Sequence, residues 1–485
     1  MLANQNLDFS RGARLMANRN SPLSEVSRRS LLTAGGAPLL GLSTNPWGLL
    51  QRAVAAAGQT EKKQARSCVL FFLFGGPSQI DLWDMKPTAP VEIRGDFRPV
   101  ATSVAGIHVC EHLPQVAQQM DKICLLRSMT HNMNVHGPAC SEVFSGREYF
   151  GAPTTDQATE QDWPSTSAMV MRYGRSHGGL PASIVLPWYL QFPGQARRIA
   201  GQTGARMGER YNAMLVQGDD KTSRFQIDGL RLRETLPRTR IQRRSQLLDE
   251  LLDQAGTGGW SGKSIGGWRR HRNRAQTLVE RRAGRLLDIE REPAPMRERY
   301  GKTIVGQSLL MARRLVEADV PLVTVNWMDE TKIDGVNTCW DTHQENFPKL
   351  KNLLCPMFDQ SFSAFVEDLH QRGLLETTLV VAIGEFGRTP HMGQFSQSSN
   401  TQKTGRDHWP SAFTALLAGG GVRGGQVYGA TNPHAAFVAD KPVSPADLVA
   451  TILNHLDIDP TQHYVDELQG LNHALSPGRA LRDLG

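Results

Sequence analysis

Continuous apolar runs, rather than alternating ones, mark the chain after residue 66. Ser67-Cys68-Val69-Leu70-Phe71-Phe72-Leu73-Phe74 runs straight into Gly75-Gly76-Pro77. Thr378-Leu379-Val380-Val381-Ala382-Ile383 behaves the same way before Gly384. Short unbroken runs bounded by turn residues predict strands buried on both faces, as in a parallel sheet. Residues 123–127, 180–186 and 320–325 repeat the pattern. Leu310, Met311, Leu315 and Val316 lie at helical spacing ahead of the last of these, and 358–369 predicts a further helix closing at Arg372-Gly373. Strand, helix, strand in succession predicts an α/β fold whose ligands gather at the carboxyl edge of the sheet. Residues 196–300 depart from this pattern. They are Arg-rich, poor in β-branched runs, and broken by a Gly/Ser/Trp stretch at 256–268, which predicts a basic α-helical insertion of at least two segments.

The N-terminal residues read as an address. Ser27-Arg28-Arg29-Ser30-Leu31-Leu32 precedes an apolar, Gly- and Ala-rich run over 32–42, then Ala53-Val54-Ala55-Ala56-Ala57. This is the layout of a twin-arginine signal peptide over 1–57, with cleavage near Ala57 and a mature domain over 58–485. The run is shorter than the ~20 residues a membrane span needs. The expectation is a periplasmic or secreted protein with no membrane span after processing.

Composition agrees and sharpens the charge. The chain has 485 residues, 40% of them apolar and 21% charged, which excludes wholesale disorder and a polytopic membrane protein. Its net charge of +7 is unevenly placed: residues 1–57 hold six Arg against two acids, and 231–300 hold sixteen Arg and one Lys against nine acids. The rest of the mature chain is therefore acidic. The Arg-rich window reads first as a solvated helical face. Were it a binding patch, export would leave an extracytoplasmic polyanion, a sulfated glycan or the membrane surface, as its partner, and no nucleic acid. Six cysteines include no CxxC pair or zinc-ribbon spacing, so no structural zinc site is expected, while disulfides are permitted.

Polar clusters follow the predicted strands. Ser78-Gln79-Ile80-Asp81 comes after the first glycine turn, His131-Asn132-Met133-Asn134-Val135-His136 precedes a short helix, Trp340-Asp341-Thr342-His343 follows the run at 320–325, and Glu385-Phe386-Gly387-Arg388 with Arg406-Asp407-His408 follows the run at 378–383. Imidazoles and carboxylates gathered this way could hold one or two divalent metals that polarise an ester oxygen. Arg388 and Arg406 could hold a bound oxyanion. Each cluster also has a plainer reading, as a surface turn or an internal ion pair.

Gly75-Gly76-Pro77-Ser78-Gln79-Ile80-Asp81-Leu82-Trp83-Asp84-Met85-Lys86-Pro87, Trp340-Asp341-Thr342-His343, Gly384-Glu385-Phe386-Gly387-Arg388-Thr389-Pro390 and Gly405-Arg406-Asp407-His408-Trp409-Pro410 resemble a large bacterial family of twin-arginine-exported, sulfatase-like proteins of unknown function, domain-of-unknown-function family 1501. That family is similar to the alkaline phosphatase and sulfatase superfamily. The resemblance implies a mainly parallel sheet between helices, carrying a metal-assisted ester-hydrolysis site at the strand ends. Residues 443–453 look like the superfamily's last helix. His136-Gly137-Pro138 through Gly146-Arg147 fits the spacing of the sulfatase nucleophile stretch, placing His136 at the nucleophile position and Cys140 at the pattern's Arg. An imidazole there can act as nucleophile, general base or metal ligand, and it cannot become formylglycine. The superfamily's first strand ends in metal-binding Asp where this chain has Gly75-Gly76, with Asp81 or Ser78 as the substitute if the turn folds back. Its Asp-His or Asp-Asn metal pair aligns with Glu385-Phe386, and its usual Asp-to-His spacing exceeds that of Asp341 and His343.

These readings converge on an exported, metal-dependent hydrolase or transferase of phosphate or sulfate esters, glycan esters included. Asp341, His343, His408 and Asp81 are the expected ligands of a divalent ion (Zn, Ca or Mn). His136, Glu385, Arg388 and Arg406 are the expected catalytic groups. The alternative is a non-catalytic protein that keeps the fold and binds an anion or sulfated glycan.

Overall fold

The computed structural model describes residues 66–151, 157–175, 179–191, 198–219, 222, 224–227, 238–255, 283–328, 340–396 and 401–485. The expected signal segment 1–57, the Gly/Ser/Trp stretch and Cys339 lie outside them. Residues 64–485 form a compact unit distinct from 1–63.

The strands of the main sheet are β1 (Ser67–Leu73), β2 (Ile123–Met129), β3 (Ser183–Leu186), β4 (Met214–Leu215), β5 (Leu322–Trp327), β6 (Thr378–Ile383), β7 (Phe413–Ala418) and β8 (Gln426–Tyr428). The main helices are α1 (His136–Ser145), α2 (Thr166–Tyr173), α3 (Arg238–Ala255), α4 (Ile304–Glu317), α5 (Cys355–Gln371) and α6 (Pro445–His455). The strand order is β8-β2-β7-β6-β1-β5-β3-β4. Every adjacent pair is parallel except those made by β7, which runs antiparallel to both β6 and β2. The fold is thus α/β, with a mainly parallel sheet between helices.

The unbroken apolar runs have the predicted cause. In β1, Val69, Phe71 and Leu73 join a core cluster with α4 and α5 side chains, while Cys68, Leu70 and Phe72 join a second cluster with side chains of α1, α2 and α6. Alternate side chains point to opposite faces, so a strand sandwiched by helices must be apolar at every position. Fully burying one such aromatic or aliphatic side chain contributes about 1.5–3 kcal/mol. Helix starts are set locally: Thr303 accepts from the Gly306 N–H at α4, and Ser444 and Asp447 form a reciprocal capping box at α6.

Three expectations are corrected. The window 196–300 is not purely helical: β4 adds to the edge of the main sheet through Ile184↔Met214 and Val185↔Leu215, and Gln217–Gly218 pairs with Phe225–Gln226. Strands of two residues are too short to leave a periodic signature. The helix at 358–369 begins earlier, at Cys355, with a Pro in its first turn. The five cysteines among the described residues (Cys68, Cys110, Cys124, Cys140, Cys355) are buried free thiols, so none of them forms a disulfide.

Candidate metal centre

The parallel strands deliver their carboxyl ends to one edge, where β1 leads into Gly75, β2 into His131 and β6 into Glu385. His408 is different: it lies in the two-residue strand His408–Trp409, paired antiparallel with Gly387–Arg388 (Arg388↔His408), just ahead of β7. It reaches the same edge because β7 runs the other way, with its first residue, Phe413, opposite Met129, the last of β2. Asp341 is anchored through its neighbour: the buried Trp340 packs edge-on against Trp327 (5.1 Å between ring centroids) and Phe358 (6.0 Å) in the core.

His136, Asp341, His343 and His408 meet at this edge, each offering one ligand atom within 4.8 Å of the others. Asp341 is the hub. His343 Nε2 lies 3.0 Å and His408 Nε2 3.3 Å from its Oδ1, and His136 Nε2 lies 3.2 Å from its Oδ2. None of the four is more than 9% exposed. The outward-facing nitrogens are also engaged. His136 Nδ1 is 2.5 Å from Glu385 Oε1, His408 Nδ1 is 2.7 Å from the Asn134 carbonyl, and His343 Nδ1 is 2.9 Å from the Thr401 hydroxyl and 3.6 Å from Asp407 Oδ1. Imidazoles held at one nitrogen with the other aimed at a common point are oriented as metal-binding histidines usually are. By donor chemistry and placement, the residues fit a divalent ion.

Electrostatics favour positive charge at this point. Burial alone would lower the pKa of His136, but the Asp341 and Glu385 carboxylates outweigh it and raise the group to about 9. Burial also works against the Asp341 carboxylate, yet Arg388, His136 and His343 hold its pKa well below the usual range. His408 goes the opposite way, down to about 3, through burial and the nearby His136 charge. In the metal-free protein one proton on His136 supplies charge that a cation would otherwise bring.

The other expected site residues serve this cluster from behind. Glu385 is fully buried and accepts the Gly75 N–H at both oxygens (3.0 and 3.1 Å) while holding His136. Arg388 is fully buried too: it bonds Asp341 Oδ1 and the carbonyls of Gly75, Gly76 (2.9 Å), Trp340 (3.3 Å) and Arg406 (3.2 Å). Arg406 forms a two-pronged pair with Asp81 (2.8 and 2.9 Å) and also reaches the carbonyls of Ile93, Thr389 and Pro390. Asp81, expected as a metal ligand, is therefore placed away from the imidazoles. It accepts from Arg406, from the Ser78 hydroxyl (2.6 Å) and from Asn346 Nδ2 (2.9 Å). The guanidinium groups expected to face an oxyanion face backbone carbonyls instead. Phe386, at the aligned metal position, forms an apolar wall whose ring lies 4.5 Å from that of His408 and 5.0 Å from that of His136.

Two glycines make this packing possible. Gly75 has φ +114°, and a Cβ there would lie 2.4 Å from the Asp341 nitrogen; a Cβ on Gly405 would lie 1.8 Å from the His343 carbonyl oxygen. The turns that carry Asp341 and His343 can close only where no side chain intervenes. Sequence reasoning missed Thr401, and it gave Asn134 and Asp407 no role. A hydroxyl, a carbonyl and a carboxylate that back a histidine leave no spacing signature.

His131, the other histidine of the β2–α1 connection, sits behind the cluster with Nε2 2.6 Å from the Glu385 carbonyl oxygen, and burial lowers its pKa to about 4. The unfolded value is about 6.5. Since the folded state resists protonation, this stability is present above pH 6.5 and lost as pH falls toward 4, by about 3 kcal/mol in all. Glu142, 3.6 Å from His131 and raised by burial to about 7, gains stability over the same pH range, and His408, lowered to about 3, loses it, so the expected reading is a difference: between pH 7 and 4 in urea denaturation of the metal-free protein, His131→Gln loses less stability than the unmutated chain.

No curated protein matches the sequence. Among solved structures, the PsFucS1 sulfatase from Pseudoalteromonas sp. is 11% identical over 90% of this chain and 78% of that chain, with a TM-score of 0.38. A protein in the alkaline phosphatase superfamily from Vibrio parahaemolyticus is 9% identical over the same shares, also at 0.38. The lipoteichoic acid synthase LtaP from Listeria monocytogenes is 10% identical over 81% of this chain and 72% of that chain, at 0.33. Scores of this size are too low to carry chemistry from those proteins to this one. A family model does match, across residues 65–484 and hence the whole metal cluster, and by that match the chain belongs to the family described as protein of unknown function, DUF1501.

Proposed function

We infer that the protein is a metal-dependent hydrolase or transferase of phosphate or sulfate esters, sulfated or phosphorylated glycans among them, exported by the twin-arginine route and processed near Ala57. The observation that carries this reading is the convergence of Asp341, His343 and His408, with His136 beside them, on one point at the carboxyl edge of the sheet. A divalent ion held there supplies a Lewis acid for an ester oxygen and charge stabilisation in an in-line displacement. The chain's own part is positional. Arg388 fixes Asp341 and the Gly75-Gly76 turn, the Arg406–Asp81 pair fixes the loop that delivers His408, and Glu385 fixes the His136 ring. Apolar Phe386 and Phe74 flank that ring and exclude water from one side. Among the described residues no helix is long and apolar enough to cross a membrane, in keeping with a protein carried across by a removable signal.

The low exposure of the cluster, together with the internal engagement of Arg388 and Arg406, favours a second reading in which the ion steadies a binding protein for sulfated glycans. Turnover separates the two. Chelated full-length protein is expected to hydrolyse an aryl phosphate or aryl sulfate only after an added divalent metal, and His343→Ala to reduce the rate at least about 100-fold, the scale of lost transition-state charge stabilisation. A folded, metal-loaded protein that turns over neither ester and still binds sulfated oligosaccharide would establish the binding reading instead.

A further inference from the structure

The geometry bears on what His136 does. We propose that His136 is a fourth protein ligand of the ion, with Glu385 as its positioning residue, which makes the centre a three-imidazole, one-carboxylate site for a borderline transition ion of the Zn²⁺ type rather than for Ca²⁺. This rests on the metal-site part of the functional reading and not on ester turnover.

The separations come first. Ligand atoms of a tetrahedral ion with bonds of about 2.0–2.1 Å stand about 3.3 Å apart. The Nε2 atoms of His343 and His408 lie 3.0 and 3.3 Å from Asp341 Oδ1, that of His136 lies 3.2 Å from Oδ2 of the same carboxylate, and one ligand atom from each of the four residues lies within 4.8 Å of the others, which places His136 within the same ligand cluster. Orientation is equally consistent. The Nδ1 of His136 meets a carboxylate and that of His408 a carbonyl oxygen, acceptors that keep a proton on Nδ1, so that Nε2, which an incoming cation would relieve of any proton it carries, is the nitrogen aimed at Asp341. Glu385 is itself fixed by the Gly75 N–H, so its carboxylate holds the His136 ring in one setting.

The donor set then selects the ion. Ca²⁺ takes six to eight oxygens at about 2.3–2.6 Å, whereas imidazole suits Zn, Cu, Fe and Ni. The cluster offers one carboxylate and three imidazoles. Glu385 is turned toward Gly75 and His136, and Asp81 is taken by Arg406. A ring nitrogen bound to an ion has no lone pair left to attack phosphorus or sulfur. His136 therefore forms no covalent ester; if the protein hydrolyses esters, a water oxygen bonds to phosphorus or sulfur and gives its proton to the departing ester oxygen, and an ion already held by four protein ligands would take the ester oxygen only by becoming five-coordinate.

Cobalt titration of the chelated full-length protein tests this through absorption rather than activity. One equivalent of Co²⁺ is expected to give a visible d–d band that Zn²⁺ abolishes and a 100-fold excess of Ca²⁺ (about 10² over Co²⁺, ample for a tenfold-weaker competitor) leaves in place. His136→Ala should shift the band and weaken Co²⁺ binding by about 100-fold or more, and Glu385→Gln should weaken it about 10–100-fold with the band position kept. Should either variant fail to fold by circular dichroism, X-ray absorption of the cobalt-loaded unmutated protein counts the imidazoles directly, with three expected. Two imidazoles, or an unchanged band and affinity in folded His136→Ala, overturns the ligand assignment. Displacement of Co²⁺ by Ca²⁺ overturns the ion class. A protein that binds cobalt as described yet hydrolyses no ester sinks the hydrolase reading and leaves this one standing.

Discussion

Asp341→Asn is expected to abolish stoichiometric metal binding and to lower the stability of the metal-free protein by about 3–5 kcal/mol, the usual cost of breaking one side of a buried ion pair. Asp341 is the one residue that all three imidazoles of the cluster approach, and it is also bonded by Arg388. An amide keeps the shape and removes the charge. Arg388, fully buried, is then left without its carboxylate, although its carbonyl partners remain. His136 loses one of the two carboxylates that hold its pKa up, so its value falls from about 9 toward the low side that burial favours. Elemental analysis, urea denaturation and a histidine NMR titration of the variant would read these three effects. A variant that retains one equivalent of metal and full stability would show that Asp341 is not the hub of the site.

The second large effect is expected at a pair that supplies no ligand atom. Asp81→Asn or Arg406→Met should each cost about 3–5 kcal/mol, since each strands the other half of a fully buried, two-pronged pair. The Asp81→Leu/Arg406→Met double variant should recover only the ion-pair part of the loss, because no charge is left uncompensated while the carbonyls of Ile93, Thr389 and Pro390, the Ser78 hydroxyl and the Asn346 amide still lose a partner. The pair lies beneath the Thr389-to-His408 loops, which Arg406 also ties through the carbonyls of Thr389 and Pro390. Its loss should therefore weaken metal binding through displacement of His408 rather than through loss of a ligand. A double-mutant cycle with an interaction energy near zero would mean that the two residues do not act as a pair.

These contrasts show what the sequence disclosed. β1 and β6 were legible because a strand buried on both faces has to be apolar throughout, and the placement of polar clusters after such runs located the site at the carboxyl edge. Asp341, His343 and His408 were legible as ligand candidates from residue type, from their place after predicted strands and from the family resemblance. The antiparallel β7 was not foreseen. Its short Phe413-Thr414-Ala415-Leu416-Leu417-Ala418 run gives no direction, yet that direction is what brings His408 to the cluster. The roles of Asp81, Arg388 and Arg406 were not legible either. Asp81 and Arg406 are separated by 325 positions, and no local pattern reports such a partner. Arginine in a loop at a sheet edge suggests an anion, but here the guanidinium groups satisfy backbone carbonyls that tight glycine turns leave without strand partners. His136 was matched to a nucleophile position by spacing, and only the approach of Asp341 and Glu385 from distant segments shows how its ring is aimed.

His136, His343, His408 and Asp341 are expected to hold a single metal ion. Anomalous diffraction from crystals of the protein grown with Zn²⁺, recorded on both sides of the zinc edge, tests it most directly. One strong peak is expected at the carboxyl edge of the sheet, about 2.0–2.1 Å from the Nε2 atoms of His136, His343 and His408 and about 2.0–2.2 Å from a carboxylate oxygen of Asp341. No peak within bonding distance of these residues, with zinc absent or bound only elsewhere, would contradict it.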